Sequence, residues 1–85
     1  MNITLRFFAS VREAVGTSQE SITLPAGVAT VGAVRELLVG RGGAWAQALS
    51  HERALRMAVN HVMCEPDAEV KDGGEVAFFP PVTGG

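Results

Sequence analysis

Met1-Asn2-Ile3-Thr4-Leu5-Arg6-Phe7-Phe8 alternates apolar and polar residues almost to its end. Ile3, Leu5 and Phe7 share one face and Asn2, Thr4 and Arg6 the other, which is the two-residue period of a half-buried strand. Phe8 breaks the pattern by falling on the polar face. Every later element has to pack on the apolar face this strand begins.

Outward from there, Ala9 to Gly16 reads as a turn or two of helix, with Val11 and Val15 four apart and Gly16 as its stop. Gln19 to Leu24 alternates again, and Pro25-Ala26-Gly27 ends it. So short a connection makes the two strands antiparallel neighbours. Thr30 is placed to cap the main helix, whose Val31, Val34, Leu37 and Leu38 form a stripe with Arg35 and Glu36 expected opposite. Gly40-Arg41-Gly42-Gly43 terminates it. Ala44 to Leu49, with Trp45 as a core plug, reads as a short second helix. Leu55 to Val59 is a strand, Asn60-His61 a turn, and Val62-Met63-Cys64 a short returning strand. Glu65 to Gly74 is polar and acidic, and Glu75 to Phe79 is the last strand.

A helix that follows the first hairpin buries its stripe against the sheet those strands begin. With the first and last strands both central, they pair in parallel and the helical segment completes a right-handed crossover. The expected fold is α+β: a β-grasp, or ubiquitin-like roll. It has a mixed sheet of four to five strands packed on one main helix plus short helices. Residues 1–85 form one domain, with 80–85 as a protruding, flexible C-terminal tail.

That tail is the unusual part. The last strand runs into Pro80-Pro81-Val82-Thr83-Gly84-Gly85. The prolines fix their own φ and hold the preceding residues extended, so the backbone leaves the fold stiff and straight. Gly84 and Gly85 have no side chains and enter a slot too narrow for a Cβ. A stiff spacer ending in a slim carboxylate is suited to delivering the C-terminus into another protein's active site.

Composition narrows the field. Forty-seven per cent of residues are hydrophobic and 19% charged, as in an ordinary soluble domain. The net charge of −2, without any basic run, argues against nucleic acid as a partner. Four Phe, one Trp and no Tyr are too few aromatics for a single-strand-binding platform. The single cysteine excludes an internal disulfide. No segment reads as a membrane span or signal peptide, so the expected location is the cytoplasm.

Catalytic constellations are not visible. There is no phosphate-binding G-x-x-x-x-G-K-[ST] loop. His61-x-x-Cys64 has ligand-like spacing, but only His51 is left to join it, and no metal site is expected. Nothing beside Cys64 depresses its pKa, so it reads as a half-buried strand residue. Glu65, Asp67, Glu69, Asp72 and Glu75 read as a solvated face. What remains is the terminal carboxylate, a poor electrophile until coupling to AMP supplies a leaving group. With no ATP site in this chain, activation has to occur in trans.

The run from Asp72 to Gly85, in particular Phe78-Phe79-Pro80-Pro81-Val82-Thr83-Gly84-Gly85, closely resembles the tail of the small subunits of molybdopterin synthase. Leu5-Arg6-Phe7-Phe8-Ala9, Val11-Arg12-Glu13, Val15-Gly16 and Ala58-Val59-Asn60 are similar to that family as well. The stretch from Gly40 to Gly43 is richer in glycine than the family pattern. The resemblance implies a sulfur carrier, a non-catalytic subunit whose substrate pocket belongs to its partner. A ubiquitin-activating-like adenylyltransferase would use Mg-ATP in trans to form an acyl-adenylate on Gly85. Sulfur from a cysteine desulfurase or rhodanese-like protein would replace AMP to leave a thiocarboxylate. The tail would then enter the large subunit of a heterotetramer and give sulfur to cyclic pyranopterin monophosphate, building the molybdopterin dithiolene. No cofactor is expected on this chain itself.

In this scheme Phe8 and Phe79 lie together on the outer surface at the root of the tail, with Met63 extending a partner-binding patch. Two other readings stay open: a sulfur carrier for thiazole or tRNA thiolation, and a ubiquitin-like modifier or adaptor. Lys71 is the only lysine, which makes chains linked through many lysines improbable.

Overall fold

Strands β1 (Asn2–Phe7), β2 (Gln19–Thr23), β3 (Arg56–Val59), β4 (Val62–Met63) and β5 (Glu75–Phe79) form one sheet in the order β2-β1-β5-β3-β4. The structure is a computed structural model and describes residues 1–81. Val82, Thr83, Gly84 and Gly85 lie outside the described residues. β1 and β5 run parallel, with Leu5 opposite Val76 and Phe7 opposite Phe78, while β1–β2, β3–β5 and β3–β4 are antiparallel. The parallel pairing expected of the first and last strands, if both lay inside the sheet, is present.

Ile3, Leu5, Phe7, Val76 and Phe78 are all at most 2% exposed. They pack with Val11 of α1 (Ala9–Val15), Val31, Val34 and Leu38 of α2 (Val31–Val39) and Leu49 of α3 (Gly43–Leu49) in one core. The helices thus cover one face of the sheet. This is the β-grasp, with the expected main helix and two short ones. No helix among the described residues is long and apolar enough to cross a membrane.

Local chemistry sets the ends of the elements. Gly16 takes φ +81° and donates its N–H to the Arg12 carbonyl, closing α1 in the left-handed geometry glycine favours. Thr30 caps α2 as expected, its Oγ1 accepting from Ala33 N at 3.2 Å. The next donors are met from the 65–70 segment: Val31 N donates to Ala68 O and Gly32 N to Pro66 O. That segment, read from the sequence as a polar acidic loop, also carries a core residue. Val70 is 3% exposed, and its N–H donates to Ala29 O. The Asn60-His61 turn has φ +49° and +69°, the sign pattern of a tight two-residue hairpin turn.

Two expectations need correction. Arg35, expected on the solvent side of α2, is buried at 8% exposure. Its Nε donates to Leu49 O at 2.7 Å, and its terminal nitrogen donates to Ser50 O at 2.6 Å and Arg53 O at 3.1 Å. The cause lies in α3, which has no basic residue in its last turn and ends at Ser50 with carbonyls in need of donors. A guanidinium from the neighbouring helix supplies them. Second, β4 stops at Met63, although Cys64 N still donates to Met57 O beyond it. Trp45 is half-buried and meets the edge of Phe7 with ring centroids 5.3 Å apart. The Arg41 guanidinium lies 4.5 Å over its other side.

Candidate functional site

β5 is the central strand, and it ends at Phe79 directly before Pro80 and Pro81, both half-buried. Its outward side chains, Glu75, Ala77 and Phe79, lie on the face that carries no helix. Phe8 reaches the same face from β1. Alternation sends Phe7 into the core and Phe8 outward, and two constraints then fix Phe8. Its N–H donates to Phe78 O at 3.3 Å, and its carbonyl accepts from Val11 and Arg12 at the start of α1. Phe8 is 40% exposed. Its ring meets that of Phe79 edge to face, with centroids 6.3 Å apart and planes at 85°. The two residues that broke the apolar alternation are therefore neighbours at the point where the chain leaves the sheet.

Below them is a shallow groove of about 250 Å³. Ala77 and Ala58, directly opposed in the β3–β5 register, make its floor. Small side chains there leave a depression that Phe8, Phe79 and Met63 wall in. Met63 is 56% exposed and stands opposite Ala58. The polar end consists of Arg6, Glu75 and His61. Arg6 donates to Glu75 Oε1 at 3.3 Å and lies 5.5 Å over the Phe8 ring, while His61 Nε2 is 3.4 Å from Glu75 Oε2. Arg6 Nε is buried without a partner among the described residues. Asn60 secures this corner, since its side-chain oxygen accepts from Glu75 N and its own N–H donates to Glu75 O, both at 2.9 Å.

The sequence reading named Phe8, Phe79 and Met63, and the structure brings all three around one groove. Arg6, Glu75, His61 and the alanine floor were not assigned to that patch, and Glu75, expected on a solvated face, is half-buried between Arg6 and His61. Their signal was present in the alternation, because Arg6 and Phe8 share a face two residues apart, but only the strand register shows that Ala77 and Ala58 oppose each other. Pro80 also borders a second groove of about 400 Å³ on the helix side, between Ser10 and Ala14 of α1, Gln47 of α3 and Arg53. Gly85, Gly84, Thr83 and Val82 were singled out from the sequence and lie outside the described residues.

The described residues offer surface and no reaction centre. No group of three or more His, Cys, Asp or Glu among them is placed to hold a metal ion. Burial pushes the Cys64 thiol above its ordinary value, and the Glu65 carboxylate beside it pushes the same way. Cys64 is half-buried and stays protonated at neutral pH.

Residues 5–85 match the model of the ThiS family. The chain belongs to the ThiS family. Two relatives extend the match over nearly the whole chain. The molybdopterin synthase sulfur carrier subunit of Haemophilus influenzae is 43% identical over 83 residues, covering 98% of this chain and 99% of the relative. The protein of the same description in Escherichia coli is 45% identical over 83 residues, with the same coverage. Among solved structures, SAMP1 from Haloferax volcanii superposes with a TM-score of 0.76 at 26% identity, covering all of both chains. The resemblance read from the tail, the first strand and Ala58-Val59-Asn60 is thereby borne out. As a ThiS family member the chain carries its likeness to these two relatives over nearly its whole length.

Proposed function

We propose that this chain is the sulfur carrier subunit of a molybdopterin synthase, and that its working group is the carboxylate of Gly85. The observation that carries the reading is the position of the tail root. The central strand passes into Pro80-Pro81 next to an aromatic pair, Phe8 exposed and Phe79 half-buried, and an open groove, so a partner docked on that face meets the point where the chain leaves the sheet. The names of the two relatives at 43% and 45% identity support the same pathway.

The chemistry follows from what a carboxylate lacks. Oxide is an impossible leaving group, so a ubiquitin-activating-like enzyme spends Mg-ATP to form the acyl-adenylate at Gly85 and releases pyrophosphate. A persulfide donor, of the cysteine desulfurase or rhodanese-like kind, then displaces AMP. A second thiol attacks the donor sulfur of the resulting acyl disulfide, releasing the thiocarboxylate as the two thiols are oxidised to a disulfide. No side chain branches beside the carbon under attack, because residues 84 and 85 are glycines. The tail inserts into the large subunit, where the thiocarboxylate sulfur displaces an oxygen substituent of cyclic pyranopterin monophosphate to form a thioester. Water then cleaves the acyl–sulfur bond, leaving sulfur on the pterin and returning the Gly85 carboxylate. Two such deliveries build the dithiolene. The chain is a group carrier, and the catalytic pocket belongs to its partner in a heterotetramer.

The test is the intact mass of the purified protein after incubation with the activating enzyme, Mg-ATP and a sulfur donor. Replacement of one oxygen by sulfur, abolished by deleting Gly85 or adding one residue after it, is the expected result. An unchanged mass with an activating enzyme proven competent on another carrier would defeat the reading. A new amide-linked conjugate in its place would favour the modifier reading.

A further inference from the structure

The outer row of the sheet at the tail root runs Phe8, Phe79, Arg56. Phe8 N donates to the Phe78 carbonyl on one side of β5, and Arg56 is the register partner of Phe79 on the other. Two arginines, Arg6 and Arg56, therefore bracket the aromatic pair, and they are in different states. Arg6 is committed, held to Glu75 and laid over the Phe8 ring. Arg56 is exposed, and no ion pair or side-chain hydrogen bond among the described residues involves it. Glu75, the carboxylate lining the groove beside the aromatic pair, already faces Arg6 and His61, and Glu65, which lines the adjoining hollow with Arg56, forms no ion pair with it among the described residues. Arg56 thus stands beside the aromatic pair as a cation without an ion-pair partner among the described residues, on a chain whose net charge is −2.

We infer that Arg56 is a specificity-determining residue of the docking face, reading a carboxylate on the rim of the partner's tail-binding channel. The inference rests on the proposed function and adds to it the chemistry of the partner: an apolar socket for Phe8 and Phe79 with an acidic group beside it. An exposed guanidinium at the edge of an apolar patch contributes mainly to encounter and to partner choice, whereas the buried rings set the lifetime of the complex. It also works against wrong partners, since a basic rim on another protein meets a like charge at this point.

The experiment measures association and dissociation rates of the full-length chain with the large synthase subunit of the same organism, at about 20 mM and about 500 mM NaCl. Arg56→Gln is expected to slow association about threefold at low salt and Arg56→Glu about tenfold, with Arg56→Lys close to wild type. At high salt the four proteins converge, and dissociation rates stay within about twofold throughout. Equal association of all variants at low salt overturns the inference. So does a deficit in Arg56→Glu that persists at high salt with a lowered melting temperature, which would make Arg56 a structural residue. A wild-type chain that gains the thiocarboxylate mass but does not bind the large subunit overturns this inference together with the assignment to molybdopterin synthase, and leaves a sulfur carrier for another pathway. Failure of both assays overturns the proposed function with it.

Discussion

The rings of Phe8 and Phe79 meet edge to face, 6.3 Å apart, on the side of the sheet that carries no helix. They come from opposite ends of the chain, and the parallel pairing of β1 with β5 brings them together. An edge-to-face pair contributes about 0.5–1.5 kcal/mol beyond its buried area. That is a modest gain for leaving Phe8 exposed and Phe79 only half-buried, and it points to a surface completed by a partner.

Phe79→Ala should therefore cost binding more than folding. The expected loss of affinity for the large subunit is about 30-fold or more, as for a central aromatic anchor. The melting temperature should fall by no more than about 4–8 °C, corresponding to about 1 kcal/mol in a domain of this size. Calorimetric titration and thermal unfolding of the same sample separate the two. Unchanged affinity with a lowered melting temperature would assign the ring to the core.

Arg35 predicts the opposite balance. Replacement by methionine preserves much of the volume but leaves the carbonyls of Leu49, Ser50 and Arg53 without their donor. The expected loss is about 2–4 kcal/mol, since buried acceptors lose bonds from a charged group. Denaturant unfolding measures it. Arg35→Lys should recover only part, because an ammonium cannot reproduce the planar fork.

Gly32 lies where α2 meets the 65–70 segment. A Cβ there would stand 3.1 Å from Pro66 O and 3.2 Å from Pro66 Cβ. Gly32→Ala should be close to neutral, its helix-propensity gain of about 1 kcal/mol offset by the displacement of Pro66. Gly32→Val should destabilise by about 2 kcal/mol, because added branches cannot avoid the backbone. Urea midpoints of the two variants provide the comparison, and a stabilised valine variant would show the segment to be freely displaceable.

Glu20 and Arg41 give a pH signature. Arg41 donates to Glu20 Oε1 at 2.9 Å, and this hydrogen bond, with the charge attraction, holds the Glu20 carboxyl below its ordinary 4.5 against a smaller opposing effect of burial. A carboxyl depressed in the folded state stabilises fully above its unfolded value and loses that contribution as pH falls through the folded one. The difference in melting temperature between wild type and Glu20→Gln should be largest at pH 6–7. It should shrink steadily as pH falls below about 4.5. A difference independent of pH would remove the pair as its source.

How much could be read in advance depended on the range of the interaction. Thr30, Gly16 and the Asn60-His61 turn were legible because caps and turns are settled by a few neighbouring atoms. Phe8 and Phe79 were legible as breaks in a two-residue period. Arg35 was misread because its partners belong to another helix, and its own helix gives no sign that α3 ends without a donor. Val70 was overlooked because one apolar residue in an acidic stretch has no periodicity to reveal it.

The sequence by itself determined the elements, the direction in which each strand presents its side chains, and a chain end of two prolines and two glycines. Alternation, φ restriction by proline and the missing Cβ of glycine are all local properties. Tertiary structure alone decided that Ala77 opposes Ala58 to form a groove, that Arg56 stands beside Phe79 as the unpaired charge of that row, and that Arg35 turns inward. Those outcomes depend on register and on which buried carbonyls lack donors, and both are fixed only when distant segments of the chain meet.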